Sequence, residues 1–239
     1  RKLFLKKRNQ KLLTFNKNLT RGLATAPNLL FDCFQPSKEF IMKNIEKIIK
    51  EKQNIVKNNI SEKTSIMEGF NNPHHLIYSL FLSPKEVKKM EYYWNLGRII
   101  SSNSGQMFDT IIKFLLSNTI PGKSTNINNP KGHPKYFEID HLDEINKVAY
   151  EIKWRDAGTD GDHLKKEFNK VDAVLKLGYK PIRLTFFMPE LKQSNNSQKK
   201  IIEYYKNNGE AYTGNDAFKY IKSLTGYDLK KMFDKYKKV

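Results

Sequence analysis

The chain has 239 residues, of which 43 are Lys or Arg and 25 are Asp or Glu, so its formal net charge is +18. A chain of this length can bury a core as one large domain or as two small ones. Its single cysteine, Cys33, excludes an internal disulfide and suits a reducing cytoplasm. No apolar run approaches the roughly 20 residues that cross a bilayer, so we expect no membrane partner.

The positive surplus indicates a class of partner. Self-repulsion from so much like charge destabilises a folded chain, and the commonest use of such a surplus is to bind a polyanion such as a nucleic acid. A chain rich in Lys and Asn can also arise from biased codon usage alone. The net charge therefore favours a nucleic-acid partner. Residue patterns that suit nucleic-acid chemistry are needed to support this interpretation.

The first 36 residues are basic and weakly patterned. Their start, "RKLFLKKRNQKLLTF", lacks the continuous apolar segment of a secretory signal. Because it does not begin with Met, the numbering is consistent with a start inside a longer chain. From Ser37 onward, apolar residues recur near helical spacing between Lys and Glu, which predicts a helix. These residues are Phe40, Ile41, Ile45, Ile48, Ile49 and Ile55.

Two further helical stretches follow. The first, "SPKEVKKMEYYWNLGRII", opens with Ser83 as a good N-cap, Pro84 in the first turn and Glu86 completing a capping box. In the second, "SNSGQMFDTIIKFLLSN", apolar residues gather on one face. The other face carries Gln106, Asp109, Thr110 and Lys113.

The residue composition of the chain changes at Asn118. The segment "NTIPGKSTNINNPKGHP" is rich in Asn, Gly and Pro, which is typical of a polar loop. Two short strands around a tight turn are predicted in "FEIDHLDEINKVAYEIKWRD". A helix follows, capped by Asp160 or Asp162 and stopped by Gly178. "KPIRLTFFM" reads as a buried strand, and short helices are expected over 197–206, 215–224 and 227–237.

This order of elements predicts an α/β fold. A helix between two strands favours a parallel crossover, whereas a short connection favours an antiparallel hairpin. The middle of the chain is expected to run helix, strand, strand, helix, strand, with room for a short strand before the hairpin. The central sheet is therefore expected to be mixed, with helices on its faces. No internal repeat and no convincing linker divides the chain, so we expect a single domain over residues 1–239.

The predicted hairpin carries three charged residues, Asp140, Glu151 and Lys153, among apolar ones. Strand interiors usually have Val or Ile there, because an unpaired buried charge is costly. Side chains alternate along a strand, so Glu151 and Lys153 share a face and lie roughly 7 Å apart. The opposite face can pack against a helix, and it comprises Val148, Tyr150, Ile152 and Trp154.

The two carboxylates are expected to face each other. If the turn centres on residues 145 and 146, Asp140 lies directly opposite Glu151, and carboxylates that close repel unless something positive lies between them. A divalent cation with oxygen ligands meets that need, and Mg²⁺ is the common choice beside phosphates. The ammonium of Lys153 can polarise an attacking water and offset charge on a phosphorane-like transition state. The hairpin is therefore interpreted as a metal-dependent phosphodiesterase site, although such a triplet also arises by chance.

On these residues the chain resembles the PD-(D/E)xK nuclease superfamily. Asp140, followed by Glu151-Ile152-Lys153 on the next strand, is similar to the superfamily signature, and residues 104–188 resemble its α-β-β-β-α-β core. The resemblance implies Asp140 and Glu151 as metal ligands, the Ile152 carbonyl as a backbone ligand and Lys153 as the water-orienting base or electrostatic catalyst. Residues 1–103 are then a mainly helical N-terminal region, and residues 189–239 are C-terminal helices.

A second resemblance is narrower. "EIKWRDAGTDGDHLKKE" followed by "GYKPIRLTFF" is similar to the ApaLI-like group of type II restriction endonucleases. It implies a homodimer that cuts double-stranded DNA at a short palindromic site with Mg²⁺, in the cytoplasm of a bacterium.

The chain departs from the superfamily pattern in two places. "FEID" lacks the Pro of the nominal motif, and Glu138 lies on the same face as Asp140 and could replace it as a ligand. The first core helix of the superfamily often carries an acidic residue. Gln106 or Asp109 occupies that region here and is the candidate ligand for a second metal site.

The loop after the catalytic strand is expected to approach DNA, because "WRDAGTDGDH" leaves that strand and reaches a helix N-terminus. It contributes Arg155, Thr159, Asp160 and His163. Arg can pair with guanine in the major groove, although the same segment also suits an ordinary capping loop. Lys165, Lys166 and Lys170 are expected to contact phosphate or solvent.

Three alternatives remain open. "IDHLDE" resembles the start of an HNH nuclease motif, in which His141 would activate water, but that motif needs a further Asn and His and often zinc-binding Cys pairs. A structure-specific or repair nuclease of the same fold would keep the chemistry and change the substrate. A non-catalytic basic DNA-binding protein would use the acids only to pair with nearby Lys.

Overall fold

The computed structural model describes residues 36–68, 73, 75–155, 161–189 and 192–237. The described residues from Ser37 onward belong to one compact unit and form seven helices and five strands. In chain order these are α1 (Lys38–Glu68), α2 (His75–Tyr78), α3 (Pro84–Thr119), β1 (Lys123–Asn128), β2 (Tyr136–Asp143), β3 (Val148–Lys153), α4 (Gly161–Lys176), β4 (Lys180–Thr185), α5 (Lys192–Asn208), β5 (Glu210–Thr213), α6 (Asn215–Thr225) and α7 (Leu229–Lys235).

The five strands form one mixed sheet in the order β1-β2-β3-β4-β5. The pairs β1–β2 and β2–β3 are antiparallel, whereas β3–β4 and β4–β5 are parallel. Helix α4 provides the long crossover that the parallel β3–β4 pair requires. The predicted mixed α/β fold is confirmed, and the run α3-β1-β2-β3-α4-β4 has the expected α-β-β-β-α-β order.

The β2–β3 hairpin has the predicted register. His141 pairs with Tyr150 and Asp143 with Val148, so the turn is centred on residues 145 and 146. The carboxylate of Asp143 holds this turn by accepting backbone N–H groups of Ile145 and Asn146 at 3.0 and 2.9 Å. Extending the register by one residue places Asp140 opposite Glu151.

Apolar side chains cover both faces of the sheet. On one face, helices α1, α3, α6 and α7 pack against Tyr150 and Ile152 of β3, which confirms the expected packing of that strand face. On the other face, α4 contributes Ala173 and Val174 to a smaller cluster with β1, β2 and β3. Strand β3 is therefore enclosed on both sides, and its charged residues lie on the α4 side.

Helix α3 begins with the predicted capping box. Ser83 Oγ accepts the N–H of Glu86 at 3.4 Å, and the carboxylate of Glu86 accepts the N–H of Ser83 at 2.8 Å. The two stretches expected as separate helices form one helix, because nothing between residues 100 and 103 ends it. The expected boundary between residues 103 and 104 lies within this helix.

Two strands lie in segments whose residues give little strand signal, and one of them is the short first strand of the expected α-β-β-β-α-β order. Strand β1 forms inside the segment expected as a polar loop, where it pairs with β2 and buries only Ile127. Strand β5 lies at the opposite edge of the sheet, in a C-terminal region expected to hold helices only. The three C-terminal helices are present as predicted. Within the described residues, no helix is both long and apolar enough to span a bilayer.

Candidate active site

Two buried carboxylates lie at the open end of the β2–β3 hairpin. Asp140 is 8% exposed and Glu151 is 3% exposed. The backbone ladder between the strands ends at the His141–Tyr150 pair. Beyond it, Asp140 Oδ2 accepts the N–H of Ile152 at 2.8 Å, so the side chain of Asp140 continues the connection between the strands.

Three cations surround Glu151. The ammonium of Lys153 lies 2.5 Å from Oε1, and that of Lys170, from α4, contacts Oε2. Arg183 is the residue that pairs with Glu151 in the parallel β3–β4 ladder. Burial opposes ionisation of Glu151, but Lys153, Lys170 and Arg183 outweigh it and hold the pKa of Glu151 well below its usual range. Glu151 is therefore ionised at neutral pH.

The other two catalytic candidates have shifted pKa values as well. Burial, and then the charge of Glu151, raise the pKa of Asp140 above its usual value. Burial acts to lower the pKa of Lys153, but Glu151, Glu167 and Asp140 outweigh it, so the pKa of Lys153 is raised. Lys153 is therefore an ammonium at neutral pH, which makes it a hydrogen-bond donor and a fixed positive charge.

A third lysine, Lys113 of α3, contacts Asp140 from the other side. Its ammonium lies 2.9 Å from Asp140, 3.0 Å from Glu138 and 3.3 Å from Asp109. Two of the three additional ligand candidates, Glu138 and Asp109, thus lie beside Asp140. The remaining candidate, Gln106, accepts a hydrogen bond from Lys52 of α1 at 3.0 Å.

A cleft of about 380 Å³ opens between β2, β3 and α4. Glu138, Glu151 and Lys153 lie on its strand side. Its helix side is one stripe of α4, because residues spaced by three, four and seven positions share a helix face. The stripe consists of His163, Lys166, Glu167 and Lys170. Lysines therefore approach the cleft from both walls, as a polyanion site requires.

A buried ion pair holds the base of the cleft. Arg183 is 0% exposed, and it donates to Glu167 at 2.7 Å and to Gln198 of α5 at 3.0 Å. Its guanidinium also lies 5.5 Å from the centre of the Tyr205 ring. These contacts join β4, α4 and α5 behind Glu151, so the positive charge under that carboxylate is fixed in position.

The residues expected to contact DNA fall into three groups. His163 and Lys166 lie in the cleft. Lys165 and Arg155 are exposed, and the guanidinium of Arg155 lies 5.6 Å from the centre of the Trp154 ring. Thr159 and Asp160 lie outside the described residues.

His141 does not have the position that the HNH alternative requires. Its side chain is fully buried, and Nε2 lies 2.9 Å from the carbonyl oxygen of Pro121. Gly122 comes so close that a Cβ there would lie 2.8 Å from the same nitrogen. An imidazole enclosed in this way has a structural role between β2 and the α3–β1 connection and does not reach the cleft.

The donor set of the hairpin fits a hard divalent cation. Asp140 and Glu151 offer only oxygen atoms, and each carboxylate oxygen keeps a second lone pair beside its present contact. In the described part of the chain, no group of three or more His, Cys, Asp or Glu side chains forms a metal site. Mg²⁺ is usually held by one or two carboxylates together with water and substrate phosphates, so two carboxylates suffice for it.

Two lysines of the site were not assigned to it from the sequence. Lys113 was placed only on the polar face of its helix, and Lys170 was assigned to phosphate or solvent. The available signal was spacing: Lys113 follows Asp109 by four residues, and Lys170 follows Lys166 by four residues. Spacing shows which face of a helix a residue occupies but not that this face meets the hairpin.

Comparison with protein families gives a match that covers most of the chain. The family described as ApaLI-like restriction endonuclease matches residues 35–238. This range includes every described helix and strand, and with them the hairpin and the cleft. No curated protein and no solved structure gives a significant match.

Proposed function

Because the chain belongs to the ApaLI-like restriction endonuclease family, we propose that it cleaves double-stranded DNA at a short palindromic site with Mg²⁺ as cofactor. Family membership makes it a DNA endonuclease of the restriction type. The substrate geometry, the metal and the residues in the roles below are the proposal.

One observation carries this assignment: two buried carboxylates and a lysine meet at one end of the hairpin, beside a cleft lined by further lysines. A structural ion pair needs only one acid and one base. Here Asp140 and Glu151 come from adjacent strands and share a position where a cation is favourable. The cleft beside them is open to a phosphate group.

Each residue then has a distinct role. Asp140 and Glu151 would hold the metal, together with the Ile152 carbonyl. Mg²⁺ supplies Lewis-acid polarisation of a phosphoryl oxygen when it is bound. Lys153, as an ammonium, donates a hydrogen bond to the attacking water and stabilises the negative charge that develops on the phosphate oxygens. The water oxygen forms the new bond to phosphorus and releases its proton to solvent, while the bond from phosphorus to one sugar oxygen breaks and that oxygen takes a proton from solvent.

DNA contacts are proposed on the helix side of the cleft and at its rim. Lys166 and Lys170 lie on the cleft wall and suit phosphate oxygens, whereas His163 lies at the first turn of α4. Arg155 lies two residues beyond the end of β3 and is exposed, and Arg is the residue type that pairs with guanine in the major groove. Thr159, Asp160 and Lys165 complete the proposed contact set.

The proposed assembly is a homodimer. One such site hydrolyses one strand, so a double-strand cut is most simply made by two copies related by a two-fold axis, and that symmetry matches a palindrome. The nuclease core is taken as residues 104–188. The helices outside it are the proposed source of the interface, through the surfaces that they do not pack against the sheet.

Digestion of a sequenced plasmid tests this function. In Mg²⁺ the protein should give discrete fragments whose ends map within one repeated palindrome, and EDTA should abolish cleavage. Ends scattered without sequence preference, or confined to branched DNA, would instead indicate a repair or structure-specific nuclease. Binding without any metal-dependent cut would indicate a non-catalytic DNA-binding protein.

A further inference from the structure

The ammonium of Lys113 lies at the meeting point of three carboxylates. Asp140 Oδ1, Glu138 Oε1 and Asp109 Oδ2 lie 2.9, 3.0 and 3.3 Å from it. The acids come from two elements, since Asp109 is on α3 and the other two are on β2. The single positive charge of Lys113 therefore forms ion pairs with three carboxylates at this point of the site.

The position of Lys113 is fixed by its helix. Its neighbours Ile111 and Ile112 are fully buried in the main core, and so are Leu115 and Leu116 of the next turn. The backbone at residue 113 is therefore held against the sheet. The side chain extends from this anchored backbone to β2, where only about a quarter of its surface is exposed.

Asp140 separates two cation positions. Its Oδ1 faces Lys113, and its Oδ2 faces β3, where it accepts the Ile152 N–H at 2.8 Å. The other residues that would hold the metal under the proposed function, Glu151 and Ile152, are on the β3 side. A carboxylate shared between two cations is the arrangement of sites that cleave phosphodiesters with two metal ions. In this chain the second position holds an ammonium.

We propose that Lys113 is a built-in substitute for a second metal ion, so that each active site takes one divalent cation. This inference rests on the proposed function. The ammonium supplies a fixed positive charge beside Asp140 and prevents Asp109, Glu138 and Asp140 from binding a second ion. Lys113 is thus a positioning residue that acts through Asp140.

The number of Mn²⁺ ions bound per protomer tests the proposal, because Mn²⁺ binds oxygen ligands and the free ion has a distinct electron paramagnetic resonance signal. The parental protein should bind one ion, and Lys113→Ala should bind two, since it frees three carboxylates around a cavity. Lys113→Gln removes the charge with less loss of packing and should also bind two. Lys113→Arg keeps the charge and should bind one.

A matched control removes a lysine from a surface ion pair. Lys47 of α1 lies 3.8 Å from Glu51, and both side chains are well exposed. Lys47→Ala lowers the net charge as Lys113→Ala does, and it should still bind one ion. Two ions on this control would show that any lost lysine recruits Mn²⁺, which overturns the proposal.

The remaining outcomes separate the two hypotheses. Two ions on the parental protein, or one ion on both Lys113→Ala and Lys113→Gln, overturn the role of Lys113 and leave the proposed metal site standing. A parental protein that binds no Mn²⁺ overturns the proposed metal site, and the role of Lys113 with it.

Discussion

Glu151 keeps its negative charge although only 3% of its surface reaches solvent. Burial of a lone carboxylate favours its neutral form, so this charge depends on Lys153, Lys170 and Arg183. Each cation comes from a different element: β3, α4 and β4. The ionisation of one side chain therefore depends on the correct assembly of the whole core around it.

Arg183 is the least replaceable of these cations. Arg183→Met leaves Glu167 buried with its charge uncompensated, and breaking such a pair costs about 3–5 kcal/mol. We expect the free energy of unfolding, measured by urea denaturation, to fall by about that amount.

A double variant separates the charge effect from packing. Arg183→Met combined with Glu167→Met replaces the pair by apolar side chains of similar length, and such replacements are often close to neutral. The double variant should therefore be clearly more stable than Arg183→Met alone. Equal stability of the two would mean that the cost lies in lost packing around Arg183, against the argument from charge.

At the scale of elements, the hairpin was predictable because its residues follow a simple rule. Alternation placed Tyr150 and Ile152 on one face and Glu151 and Lys153 on the other, and the turn position set the register. Strand β1 was expected from the order of the elements and not from its own residues, because "KSTNIN" has almost no apolar residue and owes its conformation to pairing with β2. Strand β5 has four half-buried residues, and its sequence likewise gives no pattern that predicts a strand.

The two lysines of the candidate site that the sequence did not identify, Lys113 and Lys170, also depend on contacts between elements. The sequence identifies residues that are unusual in their own element, as Asp140 and Glu151 are. It does not identify Lys113 or Lys170, because lysine on the polar face of a helix is ordinary. Their roles arise only where α3 and α4 pack on opposite faces of the hairpin.

Two glycines of α3 give a matched test of how this helix positions strand β3. At Gly97 an added Cβ meets nothing within 4 Å, whereas at Gly105 it would lie 2.8 Å from Nε1 of Trp154. Alanine is the better helix former by about 1 kcal/mol, so Gly97→Ala should raise the free energy of unfolding by about that amount. Gly105→Ala should lose this gain, because the indole has to move.

The same pair has a functional readout. Trp154 directly follows Lys153, so a displaced indole should slow DNA cleavage in Gly105→Ala and leave Gly97→Ala at the parental rate. Unfolding in urea and cleavage under single-turnover conditions measure the two effects. Equal stabilisation by both substitutions, with parental cleavage rates, would show that the contact with Gly105 does not position the strand.

For the whole molecule, the net charge of +18 predicts that DNA binding depends steeply on salt. Lysine and arginine contacts to phosphates release counterions, and a protein with roughly 6–10 such contacts loses about 10³–10⁵ in affinity between about 50 and 200 mM salt. Titration of a labelled duplex in EDTA measures this slope without cleavage. A flat response would mean that the charge is compositional and that few phosphates are contacted.

The proposed assembly also makes a prediction at this scale. Light scattering of the protein with a duplex that contains its mapped site should give the mass of two protomers on one duplex, because one site cuts one strand. A duplex of the same length without the site serves as control and should not give this defined complex. One protomer per cognate duplex would contradict the homodimer.

The most direct test of the central claim compares cleavage by the parental protein, Lys153→Ala and Lys219→Ala at the mapped site in Mg²⁺. Lys219 lies in an exposed ion pair with Asp216 on α6, so its removal controls for the loss of one charge. Lys153→Ala should fold, bind the duplex almost as the parent does, and cleave about 10²–10³-fold more slowly under single-turnover conditions, because it lacks the ammonium that stabilises the transition state. Lys219→Ala should cleave at the parental rate. A folded Lys153→Ala that cleaves as fast as the parent would contradict the assignment of the hairpin as the active site.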